Sequence, residues 1–276
     1  MHTQSKVARR DVYVQNDSSG FSIVAVSALD RIIEDDRNDD RAIVMDHEAV
    51  LLALHGDDSF PARLVLGGPL TTDEESEWIA RVTWKLAIPG GRLLLCGGFD
   101  PRSLSAWRDC GDDWDGTVQP FDVPPGEYRI DVYTYRPTIN GRFLEESWPQ
   151  PLGAWFRQTH PGRPYPAWLV EELRVSPELD PGHEKEWEYA SDEDIRARVT
   201  VDDAQEYVIG YLVHLQPWDA AATLSPLPAD GWFQHEEGAR IPARFPLGLA
   251  TEARPREDNC DDDWDGDDLD LDDDDD

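Results

Sequence analysis

Asp112, Asp113 and Asp115 crowd around Trp114 in the stretch Cys110-Gly-Asp-Asp-Trp-Asp-Gly116, and almost the same word returns 150 positions later as Cys260-Asp-Asp-Asp-Trp-Asp-Gly266. Two chemistries suit carboxylates gathered around an indole. One is protein recognition, with the acids choosing a cationic surface and the tryptophan acting as an apolar anchor. The other is coordination of a hard cation by alternating carboxylates. In the second copy Asp261, Asp263, Asp265, Gly266, Asp267 and Asp272 fall on positions 1, 3, 5, 6, 7 and 12 of the D-x-D-x-D-G calcium loop. Asp268 replaces the aliphatic residue of position 8, Asp272 is shorter than the bidentate glutamate of position 12, and no amphipathic helices flank the segment. The first copy has Gly111 where position 1 would be, so Asp112, Asp113, Trp114 and Asp115 are assigned to partner binding. The metal assignment is reserved for Asp261, Asp263, Asp265, Asp267 and Asp272.

Signatures of catalysis are missing from the sequence. There is no G-x-S-x-G, no H-E-x-x-H, no phosphate loop and no dinucleotide fingerprint. The histidines are scattered without ligand spacing, and His214, inside an apolar strand pattern, is expected to be a hydrogen-bonded core or edge residue. A non-catalytic protein without a cofactor is the expectation, with calcium the one ion the tail pattern suggests. The alternative is a calcium-binding protein or cation-dependent enzyme built on the aspartate clusters.

Charge narrows the partner. The chain of 276 residues carries a formal net charge of −33, from 25 basic and 58 acidic residues. That balance repels nucleic acid and anionic membrane surfaces and favours a basic protein. The last 20 residues, 257–276, supply −14 of it without one base, so the remaining body is itself acidic. Lysine is confined to Lys6, Lys85 and Lys185, and arginine, which pairs bidentately with carboxylates, supplies the other cations. Three cysteines without a C-x-x-C spacing suggest neither a disulfide framework nor a zinc site. The start, Met1 to Arg10, lacks the apolar run of a signal peptide and no segment is apolar enough to span a membrane, so the cytoplasm is the expected compartment.

The elements that position the first aspartate word are predicted mostly as strands. Asp11–Gln15 and Phe21–Ser27 flank the turn Asn16–Gly20 as a first hairpin. In 82–88 the alternation of Val82, Trp84, Leu86 and Ile88 with polar residues gives a strand, and Pro89-Gly90-Gly91 turns it back into Arg92–Cys96 as a second. Val118–Val123 and Tyr128–Tyr135 flank Pro124–Glu127 as a third, with Tyr128, Ile130 and Val132 inward and Arg129, Asp131 and Tyr133 outward. Thr72–Glu75 has capping-box spacing and predicts one helical turn. Trp168–Val175, Ile195–Val201 and Tyr207–Leu215 continue the strand theme, and the shared Val, Glu-Tyr and Ile of 123–130 and 201–209 hint at a duplicated hairpin. The fold class predicted is mainly β: an antiparallel β-sandwich built from hairpins, with little helix. Residues 1–255 form the body, with a subdomain division into 1–140 and 160–255 as an option, and 256–276 form a disordered acidic tail.

The third hairpin, Phe121-Asp-Val-Pro-Pro-Gly-Glu-Tyr-Arg-Ile130, resembles the F-D-(V/L)-P-x-G-(D/E)-Y hairpin of the competence protein J family of small β-rich bacterial proteins. Members of that family bind and inhibit a DNA-entry nuclease. The resemblance covers about fifteen residues and implies a β-sandwich with an inhibitory, non-catalytic role. Together with the charge it predicts a bacterial binding, inhibitory or immunity-type protein whose partner is a nuclease, a toxin or another nucleic-acid-binding protein.

Overall fold

The computed structural model describes residues 8–16, 18–34, 39–54, 56–111, 116–136, 150–188, 190–234 and 239–255. In chain order these form β1 (Ala8–Val14), β2 (Gly20–Ala25), α1 (Leu29–Glu34), α2 (Asp40–Met45), β3 (Ala49–Ala53), β4 (Phe60–Leu66), α3 (Thr72–Glu77), β5 (Ala80–Ile88), β6 (Arg92–Gly97) and α4 (Pro101–Cys110). There follow β7 (Val118–Asp122), β8 (Gly126–Thr134), α5 (Leu152–Thr159), β9 (Tyr165–Pro166), α6 (Ala167–Val175), α7 (Glu184–Trp187), α8 (Asp192–Arg198), β10 (Val201–Asp202), β11 (Tyr211–Pro217) and β12 (Trp232–Phe233).

Two five-stranded sheets hold the core, in the orders β1-β4-β11-β8-β5 and β12-β3-β2-β6-β7. They share one apolar interior. Phe21 of the second sheet meets Phe60 and Tyr211 of the first at ring-centre distances of 5.1 and 5.0 Å, and Trp84 meets Phe233 at 5.1 Å. Burying each such ring contributes about 1.5–3 kcal/mol. Val82, Trp84, Leu86 and Ile88 all point into this interior, as the period-2 pattern of 82–88 requires.

The sheets are mixed, which corrects the antiparallel prediction. β11 runs parallel to β4, β12 parallel to β3, and β9 parallel to β10. Helix is also plentiful, at about 30% against 32% strand. The three predicted hairpins exist as chain reversals, but none of them pairs its own two strands. β1 belongs to the first sheet and β2 to the second, β5 to the first and β6 to the second, β7 to the second and β8 to the first. Each turn is an arch that carries the chain from one sheet to the other. The second and third arches touch, through a hydrogen bond from Val123 N to Gly91 O of 2.9 Å.

Between the two sheets the end of β1 crosses β6, where Asn16 bridges Gly97. A Cβ on Gly97 would stand 2.0 Å from Gln15 O, so only glycine admits this crossing. Arg10 reaches over from β1 and lies 4.9 Å from the centre of the Phe121 ring on β7.

The strands predicted at 168–175 and 195–201 are largely helices, α6 and α8. In α6 the buried residues Trp168, Leu169 and Leu173 share a helical face, and α8 starts with a capping box in which Ser191 and Asp194 bond each other's backbone N–H. Together with α5, α7 and the strap around Phe245 they build a second apolar cluster, in which Trp168 stacks on Phe245 at 5.8 Å. The region 201–209 forms two strand residues and a short 3-10 turn, so it is no second copy of the 123–130 arch.

α3 forms one register earlier than the sequence spacing suggested. Thr71, not Thr72, is the N-cap, its hydroxyl accepting from Glu74 N while the Glu74 carboxylate accepts from Thr71 N at 2.7 Å. With residues 245–251 this helix covers the outer face of the first sheet. Arg129, Asp131 and Tyr133 lie on the outer face as expected, and Arg129 stays partly exposed there, but Asp131 and Tyr133 are not solvent-facing, at 0% and 4% exposed.

Candidate functional site

The aspartate word at Cys110–Gly116 is framed by two anchored stems. On its entry side stands α4. Asp100 caps it by accepting from Arg102 N and Ser103 N at 3.1 and 3.2 Å, and Pro101 occupies the first turn, where its missing N–H costs nothing. Leu104 and Trp107 bury one face of this helix, the Arg92 guanidinium lies 5.5 Å from the Trp107 ring, and Arg108 pairs with Asp30 of α1 at 3.2 Å. Beyond exposed Cys110 the backbone turns left-handed at Gly111, whose N–H still bonds Trp107 O.

The exit side is fixed just as firmly. Gly116 is again left-handed, and its carbonyl accepts from Gln15 N at 3.2 Å and from Gln119 Nε2 at 3.0 Å. Thr117 O accepts from Gly97 N at 2.8 Å, and the chain enters edge strand β7. Asp112, Asp113, Trp114 and Asp115 lie outside the described residues, as do Asp261, Asp263, Asp265, Asp267 and Asp272. What the structure places is the pair of roots from which the first loop departs, at the β7 end of the second sheet.

Sequence reasoning missed three buried polar clusters. The first is a row across the outer face of the first sheet, where Asp131 stands opposite both Thr83 and His214. Thr83 Oγ1 donates to Asp131 Oδ1 at 2.6 Å, the Arg129 guanidinium stands 2.7 Å from Asp131 Oδ2, and His214 Nε2 bonds Gly68 O at 2.8 Å. Burial pushes the His214 pKa down, so the ring is neutral near pH 7. This agrees with the core reading of His214. A hydroxyl, a carboxylate and an imidazole in one row resemble catalytic parts, but the hydroxyl donates to the carboxylate instead of to the ring, and all three are buried.

The second cluster ties α3 to β1 and β4. Glu74, 1% exposed, bonds Arg9 Nε and Nη2 at 3.0 Å each and Arg63 Nη1 at 3.3 Å, while Arg63 also grips Asp11 at 2.7 and 2.8 Å. Burial alone would raise the Glu74 pKa, but the hydrogen bonds from Arg9 and from the Thr71 backbone, with both guanidinium charges, hold it at about 2. In the third, Asp180 is fully buried, takes both guanidinium nitrogens of Arg157 at 2.7 Å and accepts from Trp187 Nε1 at 3.0 Å. The signals for these clusters were present only as isolated polar residues, because their partners are up to 146 positions apart.

Their chemistry is that of closed ion pairs. Among the described residues no group of three His, Cys, Asp or Glu side chains is arranged to hold a metal. Cys96 is no thiolate either, since burial pushes its pKa up to about 12.

No family model matches the sequence, and no curated protein matches it. Among solved structures the chain is similar to "Crocagin biosynthetic gene J", at 16% identity and a TM-score of 0.38, over 78% of this chain and 98% of that one. It is also similar to ComJ from Bacillus subtilis, described as an inhibitor of the DNA degrading activity of NucA, at 9% identity and a TM-score of 0.31, over 49% of this chain and 89% of that one. Superpositions at this level leave fold and function to be argued from the chain's own residues.

Proposed function

We propose that this chain is a non-catalytic acidic binding or inhibitory protein that engages a basic protein partner, such as a nuclease, a toxin or another nucleic-acid-binding protein. The observation that carries the reading is where the positive charge goes. Arg9, Arg63, Arg129 and Arg157 are spent on the chain's own buried carboxylates, and Arg240 and Arg244 on its backbone carbonyls. A chain with a net charge of −33 that turns these six arginines onto itself presents an acidic field to its surroundings. Such a field steers a cationic partner and repels nucleic acid. The closed buried clusters support the non-catalytic part, since their hydroxyl, carboxylate and imidazole groups already serve one another or the backbone.

The Cys110–Gly116 loop is the proposed contact, with Trp114 as anchor and Asp112, Asp113 and Asp115 around it. Its rigid stems limit the conformational cost of presenting that anchor. The partner captured from the source cell should be basic, and its affinity should fall about tenfold or more between low and half-molar salt. A complex indifferent to salt would refute the reading.

A further inference from the structure

The first sheet ends in β5, and among the described residues the chain bonds to that edge only in places. Ser225 N donates to Thr83 O at 2.9 Å and Thr83 N donates to Ser225 Oγ at 3.0 Å, while Ile79 O accepts from Arg240 N at 2.8 Å. In an antiparallel ladder every second residue directs its N–H and C=O to the same side. Arg81, two residues before Thr83, therefore turns its main-chain pair to this same edge, and no described residue bonds to that pair. Arg81 also lines a cleft beside this edge, and its guanidinium lies 5.8 Å from the Trp78 ring.

Beside Arg81 opens a cleft of about 310 Å³, walled by Val82, Pro226, Leu227, Pro228 and Phe233, with Asp230 among its lining residues. We propose that this cleft receives an extended segment of a protein partner. One residue of the segment makes a β-bridge with Arg81, a neighbouring large apolar side chain enters between Val82, Leu227 and Phe233, and basic flanks face Asp230. Three features select that occupant. Strand-edge groups without a partner among the described residues call for an extended main chain, which neither a helix nor a flat surface supplies. The volume is at the small end for ligand sites and admits a large side chain. The acidic chain favours a cationic flank. The proposal rests on the binding function proposed above and gives the partner a second point of attachment.

The test uses the full-length, isotope-labelled chain and two blocked pentapeptides. Each has a central tryptophan between valines, one with lysine at both ends and its twin with glutamate. The lysine peptide should shift the amide resonances of Arg81, Val82 and Leu227 and slow hydrogen exchange at Arg81. Leu227→Trp, which fills the cleft, and Ala229→Trp, which crowds its rim, should each weaken binding at least about tenfold. Ala229 is exposed, so its variant keeps the test valid even if Leu227→Trp fails to fold. No shift at these amides, or shifts that survive in the folded variants, would overturn the proposal. If the glutamate twin binds equally well, the cleft stands and the preference for a basic partner falls.

Discussion

Gly153 lies against Asp180 so closely that a Cβ built on it would stand 2.4 Å from the carboxyl carbon. The helical part of the chain is assembled around this contact. Asp180 is 0% exposed and holds Arg157 of α5 and Trp187 of α7 at once. Gly153→Ala must displace a carboxylate that has no room to move, and should cost about 2 kcal/mol in urea unfolding. Asp180→Ala, which strands the Arg157 guanidinium, should cost about 3 kcal/mol or more. The double variant discriminates: with the carboxylate gone the new methyl finds space, so the two losses should be clearly less than additive.

Glu74 makes stability depend on pH in a defined window. Its folded pKa of about 2 lies below the ordinary 4.5, so the unfolded chain binds its proton first as pH falls. The stabilisation is complete above the unfolded value and disappears as pH drops through about 2. A shift of that size corresponds to about 3 kcal/mol. Glu74→Gln should be less stable than the parent at pH 7 by that order, and the gap should close between pH 4.5 and 2 in acid titrations followed by circular dichroism. A gap that stays constant over this window would mean that packing, not charge, sets the role of Glu74.

The strands were legible because alternation is a local property: 82–88 declares its buried face within seven residues. Their pairing was not. Pro89–Gly91 and Pro124–Glu127 specify that the chain reverses, and a reversal serves equally for a hairpin and for an arch between sheets. The sheet assignment is decided by distant partners, such as β11 inserting between β4 and β8. α6 was hidden by its richness in Trp, Leu and Val, which also suits strands, and α8 by the alternation of Ile195, Ala197 and Val199 with Arg196 and Arg198; the signals that could have found them are the Ser191–Asp194 capping box and the Pro166-Ala167 start. Of the candidate site, the acidic aromatic word was visible at once. The apolar cleft was not, because Val82, Leu227 and Phe233 meet only through the tertiary fold.

The tail aspartates Asp261, Asp263, Asp265, Asp267 and Asp272 have the calcium-loop spacing in a sequence without the position-12 glutamate or flanking amphipathic patterns. A chain ending at residue 256 should therefore show the same calcium heats in calorimetry as the full chain, apart from weak, unsaturated screening. A saturable one-site isotherm present only with the tail would give those aspartates a metal-binding role instead.

Trp114 and the aspartates around it make the decisive test of the binding loop. The stems end in Gly111 and Gly116, both left-handed, and are tied to Trp107, Gln15 and Gln119, so a substitution between them leaves the fold's anchor points untouched. Trp114→Ala should act mainly by speeding dissociation, weakening the partner complex by about 2 kcal/mol, the loss of an aromatic anchor. Replacing Asp112, Asp113 and Asp115 together by asparagine should act mainly on association, lowering the on-rate at low salt while converging with the parent at half-molar salt. Stopped-flow binding at two salt concentrations separates the effects. If the tryptophan variant changes neither rate, the partner docks elsewhere and the acidic word is only a solvated connection between α4 and β7.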